Sequence, residues 1–143
     1  MKRILVDMSA TIIHHGHIRL LQSAKDKGIV VVALTTDEEI KKYKGYEPEL
    51  TYDQRYEILM AIKYVDEVVP SPWLLTEKEL LINNADYLLH GSDNSNFISS
   101  NKLIILPRTK GISSSLLRRK VVKSLLSKYL FNLKKFLKIT NGI

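Results

Sequence analysis

Cysteine is absent from the 143 residues, and tryptophan occurs once. The lack of thiols excludes disulfides and thiolate zinc sites, and it suits a reducing compartment. Long apolar runs are also missing. The run at residues 4–6 stops at Asp7, too early for a signal peptide, and no stretch approaches the roughly 20 residues that a membrane-spanning helix needs. We therefore predict a cytoplasmic protein.

Acidic residues are confined to the first two thirds of the chain. Residues 1–93 contain 11 Lys/Arg and 15 Asp/Glu, a net charge of −4, whereas residues 94–143 contain 11 Lys/Arg and no acid, a net charge of +11. Such a basic segment predicts an anionic partner: a nucleotide phosphate, a nucleic acid or a membrane surface. The length and the 45% content of hydrophobic residues are typical of one globular domain.

Short apolar runs alternate with segments of helical periodicity along the chain. We predict strands at residues 3–8, 29–35, 67–69, 87–90 and 102–106, helices at 17–27, 52–64 and about 77–85, a polar loop at 41–50, and a long basic helix from Ser113. This alternation predicts an α/β fold, a Rossmann-like parallel five-stranded sheet with helices on both faces. Ligands of such sheets bind outside the carboxyl ends of the strands, so the loops there should carry the chemistry.

Two histidines follow the first strand in the pattern His14-x-Gly16-His17. Gly16 permits close backbone approach, and the start of the next helix offers free N–H groups to an anion. Imidazole N–H donors there could hold a triphosphate and stabilise charge on a reacting phosphorus. Helix capping or loop packing is the competing interpretation. Zinc binding is a third, which the lack of an evident fourth donor weakens.

Further cations lie in other loops at the same edge of the sheet. Arg108, in the sequence Arg-Thr-Lys-Gly, follows the fifth strand and precedes a serine-capped helix, which predicts an anion site. Lys44 lies in a charged loop, where a solvated lysine is the ordinary case. Asp93 could serve only to cap a turn.

Four segments, in this order, resemble motifs of the cytidylyltransferase-like nucleotidyltransferases. His14-x-Gly16-His17 resembles the HxGH signature, and residues 64–69 resemble the entry to the third strand. Residues 91–94 resemble the Gly-x-Asp-Trp loop, and residues 108–114 resemble the RTxGISTT motif of the glycerol-3-phosphate branch. The resemblance covers about residues 3–120. It implies a HUP-type nucleotidyltransferase domain at residues 1–120, followed by a basic amphipathic helical extension at 121–143.

The resemblance also implies a role for each matched position. His14, His17, Lys44 and Arg108 would be catalytic and would contact phosphates. Arg55 and Trp73 would contact the acceptor. No residue is assigned to a metal, and Mg²⁺ would be bound mainly through the triphosphate. The nucleotide would be bound by residues of the matched loops, namely Met8, Ser9, Ala10, Gly16, His90, Gly91, Asp93, Thr109, Gly111, Ile112, Ser113 and Ser114.

The reaction that the resemblance implies is transfer of CMP from CTP to a small phosphorylated or phosphonate alcohol or amine, with release of pyrophosphate. Met8-Ser9-Ala10, where the family usually has Gly-Thr-Phe, is similar to the 2-aminoethylphosphonate branch. Asn94 replaces the usual tryptophan, which makes the preference for cytosine less secure. An adenylyltransferase of the same fold and a non-catalytic nucleotide-binding or scaffold protein are the alternatives.

The C-terminal segment has apolar residues at helical spacing among lysines and arginines. Such a helix could cover the sheet or a neighbouring subunit. We also predict a homodimer. The same pattern is typical of a helix held at an anionic membrane surface. A nucleic-acid partner is disfavoured, because the aromatic residues fall at core-like positions rather than on a stacking platform.

Overall fold

Five short apolar segments form one parallel sheet in the computed structural model. The strands are β1 (Arg3–Met8), β2 (Ile29–Thr35), β3 (Glu67–Ser71), β4 (Tyr87–Gly91) and β5 (Leu103–Leu106), and their order is β3-β2-β1-β4-β5. The structure describes residues 1–140, with side chains to Leu137. They divide into two compact units, Met1–Gly111, which holds the sheet, and the residues from Ile112 onward.

The strand order places a reversal of direction at the centre of the sheet. The chain proceeds from β1 through β2 to β3 on one side and returns to β4 and β5 on the other. After the neighbouring strands β1 and β4, the chain therefore turns towards opposite sides of the sheet. A crevice forms between the loops that follow these two strands. The loops after these two strands carry the histidine motif and residues 91–94.

Helices cover both faces of the sheet. Four belong to the first unit: α1 (His15–Lys25), α2 (Asp37–Lys44), α3 (Tyr52–Met60) and α4 (Glu77–Ile82). One core cluster joins Leu21 of α1 and Leu59 of α3 to alternate residues of the central strands. The other cluster joins Leu80 of α4 to the intervening strand residues, whose side chains point to the opposite face of the sheet. The predicted α/β architecture is confirmed.

Several predicted elements were wrong in their limits. The helices predicted at 17–27, 52–64 and about 77–85 span His15–Lys25, Tyr52–Met60 and Glu77–Ile82. Residues 41–44, predicted as loop, are the last turn of α2, which Thr36 caps at its start and Gly45 ends at φ 72°. β3, predicted to stop at residue 69, continues through Pro70 to Ser71. Proline has no N–H to donate, and it is tolerated because β3 is an edge strand.

The second unit contains one long helix, α5 (Ser114–Thr140). Ser113 precedes it and accepts a hydrogen bond from the Leu116 N–H, so this serine caps the first turn. The helix runs without a break through residue 120, where the sequence predicted a domain boundary, so the functional division at that point stays a prediction. In the described part of the chain, no helix is long and apolar enough to cross a membrane.

Candidate functional site

His14 and His17 cap α1 through the same type of ring atom. The Gly16 N–H donates to His14 Nδ1 at 3.1 Å, and the His14 N–H donates to His17 Nδ1 at 3.2 Å. The ring centroids are 4.0 Å apart. A neutral imidazole that accepts at Nδ1 carries its proton on Nε2. Capping therefore fixes the tautomer and leaves each Nε2–H as a donor that a ligand can use.

Both rings are held in the neutral form. Burial, with smaller contributions from the nearby His14 and Arg108, lowers the pKa of His17 to about 4. Burial also lowers the pKa of His14, with smaller contributions from His15 and Arg108. The pair therefore offers neutral N–H donors at pH 7 rather than imidazolium cations, and permanent positive charge comes from Arg108 beside it.

The low pKa of His17 predicts a pH-dependent stability. The unfolded chain binds a proton near pH 6.5 and the folded chain near pH 4, so the free energy of unfolding falls as the pH drops through this window. The full effect is about 3 kcal/mol. We expect the wild type and His17→Asn to give parallel pH profiles of the free energy of unfolding above pH 6.5 and to diverge below it, because only the wild type is destabilised as the pH falls towards 4.

The difference between the free energies of unfolding of the wild type and of His17→Asn separates the effect of His17 from the effects of other titrating groups. Burial raises the pKa of Asp7, which gives a contribution of opposite sign that is lost as the pH rises. That contribution cancels in the difference. His15→Asn is the control, because His15 is exposed. An identical pH profile for the wild type and His17→Asn would refute the buried neutral state of His17.

Arg108 is held by an ion pair across the loops after β4 and β5. Its Nη1 donates to Asp93 Oδ2 at 2.9 Å, and both side chains are 52% exposed. Gly91 makes room for the pair, because a Cβ atom there would lie 2.9 Å from Asp93 Oδ1 and 3.3 Å from Arg108 Cγ. Three residues predicted for the site therefore form one small cluster, and its arginine is exposed enough to meet an anion.

A second polar group lies on the sheet face opposite α1, where β1 and β4 end. Asp7 Oδ2 accepts from Asn96 Nδ2 at 2.9 Å and lies 3.5 Å from His90 Nε2. The Asp7 side chain is only 11% exposed. Among the described residues, Asp7 Oδ1 is the one buried side-chain polar atom without a hydrogen-bond partner. Such an atom is costly to bury unless a ligand supplies a donor.

Asp7 and Asn96 were not among the predicted site residues. The available signal was the acid that ends the apolar run at residues 4–6 of β1, just before Met8. His90, predicted for the nucleotide, is part of this group and also lies 3.8 Å from Asp93 Oδ1. The group thus adjoins the Asp93–Arg108 pair.

Arg55 is fully buried and bonded to three separate segments. Its guanidinium donates to the carbonyl oxygens of Ser9 and Leu50 and to Asp37 Oδ1 at the start of α2. Ser9 precedes Ala10, a buried residue held at φ 46°, which is strained for a side chain other than glycine. Arg55 therefore braces the loop that leads to the histidines. Its predicted contact with the acceptor stays a prediction.

Lys44 and Trp73 lie together although they are 29 positions apart in the sequence. Lys44 Nζ is 5.2 Å from the centroid of the Trp73 ring, and Tyr43 stacks on the same residue at 5.8 Å. The Trp73 N–H donates to Glu39 of α2 at 2.8 Å. The cation–π contact therefore holds the Lys44 ammonium group against the Trp73 ring.

The remaining predicted residues fall into two groups. Met8 and Ala10 have buried side chains, so only their backbone atoms could meet a nucleotide. The other group lies between β5 and the first residue of α5, namely Thr109, Gly111, Ile112, Ser113 and Ser114. Within the residues that the structure describes, no cluster of three or more histidines and carboxylates could hold a metal ion.

Comparison with known proteins relates most of the chain to one family. A cytidylyltransferase-like family model matches residues 9–120. Ethanolamine-phosphate cytidylyltransferase of Mus musculus is 41% identical over 93 residues, which are 64% of this chain and 23% of that protein. Glycerol-3-phosphate cytidylyltransferase of Bacillus subtilis is 34% identical over 129 residues, which cover 85% of this chain and 98% of that protein.

Two further proteins are similar. FAD synthase of Korarchaeum cryptofilum is 34% identical over 137 residues, covering 85% of this chain and 92% of that protein. A lipopolysaccharide core biosynthesis protein of Thermoplasma volcanium superposes with a TM-score of 0.65 at 19% identity, over 77% of this chain and 99% of the other. The chain thus spans about a quarter of the mouse relative and nearly all of the bacterial one.

Proposed function

This chain belongs to the cytidylyltransferase-like family, and on that premise we propose that it transfers CMP from CTP to a small phosphate or phosphonate that carries an amine. The predicted family resemblance is confirmed. Two of the similar cytidylyltransferases act, by their names, on ethanolamine phosphate and glycerol 3-phosphate, so the family match leaves the acceptor open. The observation that carries the choice of an amine is the unpartnered oxygen of Asp7.

The chemical step is a single in-line displacement. An oxygen of the acceptor phosphate or phosphonate forms a bond to the α-phosphorus of CTP. The bond from that phosphorus to the bridging oxygen breaks, and pyrophosphate leaves with the electron pair. The acceptor is already an anionic nucleophile, so no covalent enzyme intermediate is needed. Catalysis is then a matter of positioning and of neutralising charge.

The site residues match those two requirements. The Nε2–H groups of His14 and His17 would donate to phosphate oxygens, and they would do so as neutral groups because burial lowers both pKa values. Arg108, beside the histidines, would supply the permanent charge, and Lys44 would reach the α-phosphate or the acceptor. The described residues offer no carboxylate cluster for a metal, so Mg²⁺ would enter on the triphosphate oxygens.

Asp7 favours an acceptor that carries an amine at the end opposite its phosphate or phosphonate group. A primary ammonium group can donate a hydrogen bond to Asp7 Oδ1 and also offset the charge of a carboxylate that burial disfavours. A hydroxyl group supplies the hydrogen bond without the charge, and a quaternary ammonium supplies the charge without the hydrogen bond. Among phosphonates, 2-aminoethylphosphonate fits this requirement, and the Met8-Ser9-Ala10 segment is similar to the branch that uses it.

The first experiment is pyrophosphate release with each nucleoside triphosphate and Mg²⁺. The acceptors are 2-aminoethylphosphonate, phosphoethanolamine, phosphocholine and glycerol phosphate. We expect turnover with CTP and a primary amine. In Asp7→Asn, KM for that amine should rise about tenfold or more, because a charged hydrogen bond is lost, while KM for CTP is unchanged. Glycerol phosphate is the matched acceptor, whose kcat/KM should not fall in the variant.

The outcomes separate the parts of the proposal. Turnover with glycerol phosphate as the only active acceptor would refute the proposal that the acceptor carries an amine, and it would still support CMP transfer. Turnover with ATP in place of CTP would favour the adenylyltransferase alternative, which the similarity to FAD synthase supports. Absence of any nucleotide binding would favour the scaffold alternative. The predicted homodimer is a separate proposal, which light scattering in solution tests.

A further inference from the structure

Residues 120–135 of α5 segregate into an apolar half and a lysine half. Val121, Leu125, Tyr129 and Leu133 repeat every four residues, and Val122, Leu126 and Leu130 form the adjacent row. The opposite half carries two serines, Phe131 and the lysines Lys120, Lys123, Lys128, Lys134 and Lys135. Asn132 is the one polar residue on the apolar half of this stretch. At 1.5 Å per residue, the stretch is about 24 Å long.

The apolar half is exposed along its whole length. The seven side chains are between 54% and 78% exposed, and the most exposed is the aromatic Tyr129. Contiguous apolar surface of this kind marks an interaction site, because its exposure to water is unfavourable. The stretch lies beyond residue 120, where the match to the family model ends, so catalysis as proposed above makes no use of it.

We infer that this helix lies in the interface of an anionic phospholipid membrane. An amphipathic helix at a bilayer buries its apolar half at the acyl boundary and keeps its cations at the level of the headgroup phosphates. Each lysine near an anionic surface adds to the attraction, and lysine stems at the border can lie along the apolar layer while the ammonium reaches the phosphates. The two halves of α5 meet both requirements.

The charge of the segment argues against two other partners for this helix, a second copy of α5 and a nucleic acid. Residues 94–143 contain no acid, so a second α5 packed on the apolar half would bring lysine against lysine where paired helices usually place opposite charges. A nucleic acid would engage the lysines alone and leave seven apolar side chains in water. An anionic bilayer is the partner that contacts both halves at once.

The experiment is flotation of the full chain with vesicles of phosphatidylcholine alone and with vesicles containing phosphatidylglycerol. We expect binding to the anionic vesicles only. The variant Leu126→Gln/Leu133→Gln keeps every lysine and should lower the partition coefficient by at least about tenfold. The matched control is Phe131→Gln, which removes a large apolar side chain from the lysine half and should bind like the wild type. Turnover of a water-soluble acceptor should be unchanged in both variants.

Three results would overturn the inference. The first is failure of the wild type to bind anionic vesicles. The second is equal binding by Leu126→Gln/Leu133→Gln, since charge alone would then hold the protein at the surface. The third is conversion of a dimer to a monomer by that variant in light scattering, which would assign the apolar half to a second copy of the chain.

Discussion

His17→Ala is expected to lower kcat by two to three orders of magnitude while the protein stays folded. Loss of one preorganised donor to a developing charge typically costs 10²–10³ in rate. The alanine also removes Nδ1, which accepts from the His14 N–H at 3.2 Å, and loss of a helix cap costs about 1 kcal/mol. The measurements are steady-state pyrophosphate release and urea denaturation.

His17→Asn separates the two functions of the ring. The asparagine amide oxygen can replace Nδ1 as the acceptor of the cap, but its NH2 group is attached at Cγ and does not reach the position of Nε2–H. We expect this variant to recover the stability lost in His17→Ala and to remain as slow. His15→Ala, at the exposed neighbouring position, should keep the wild-type rate. A near-normal rate for His17→Asn would show that the histidine only caps the helix.

Arg55→Ala is expected to lower the free energy of unfolding by about 3–5 kcal/mol, because it breaks a buried, multiply bonded charge. The change removes the donor to Asp37 Oδ1 and to the carbonyl oxygens of Ser9 and Leu50. Arg55→Lys should restore little, since an ammonium cannot reach three acceptors that a planar guanidinium joins. Urea denaturation measures both variants.

The control for Arg55 is an ion pair at the surface. Lys41 contacts Glu47 at 2.6 Å, but the two side chains are 66% and 74% exposed, so Lys41→Ala should cost less than about 1 kcal/mol. If Arg55→Ala fails to fold, urea denaturation of Arg55→Lys tests the prediction instead. Wild-type stability in Arg55→Lys, with only KM for the acceptor raised, would refute the bracing role and favour the predicted contact with the acceptor.

The strands were predictable where continuous burial determines the sequence. β1 and β2 occupy the predicted residues because central strands of a parallel sheet are apolar on both faces. α2 was missed because it buries one residue, Ile40, and so has no apolar periodicity. Its signals were local: Thr36 at the start, three acids in the first turn, three basic residues in the last, and Gly45.

The candidate site was predictable as a set of loops but not as a set of contacts. The motif located the histidines, yet the choice between capping and ligand binding could not be made from residue types, and the structure shows capping through Nδ1 with Nε2 left over. Arg55 had the pattern of a surface arginine, because its burial depends on segments distant in sequence. Asp7 was overlooked for the same reason: its environment comes from β4 and Asn96.

The pairing of Arg108 with Asp93 makes the aspartate an internal competitor for any incoming anion. Because both side chains are half-exposed, the pair contributes at most about 1 kcal/mol, and a ligand can displace the carboxylate at that small cost. The ligand must, however, bring more negative charge to the arginine than a carboxylate does. A triphosphate meets this condition with a wide margin, whereas a singly charged anion such as chloride or acetate does not. The pair therefore lowers the affinity of Arg108 for any anion by less than about tenfold, a small preference for ligands of higher charge.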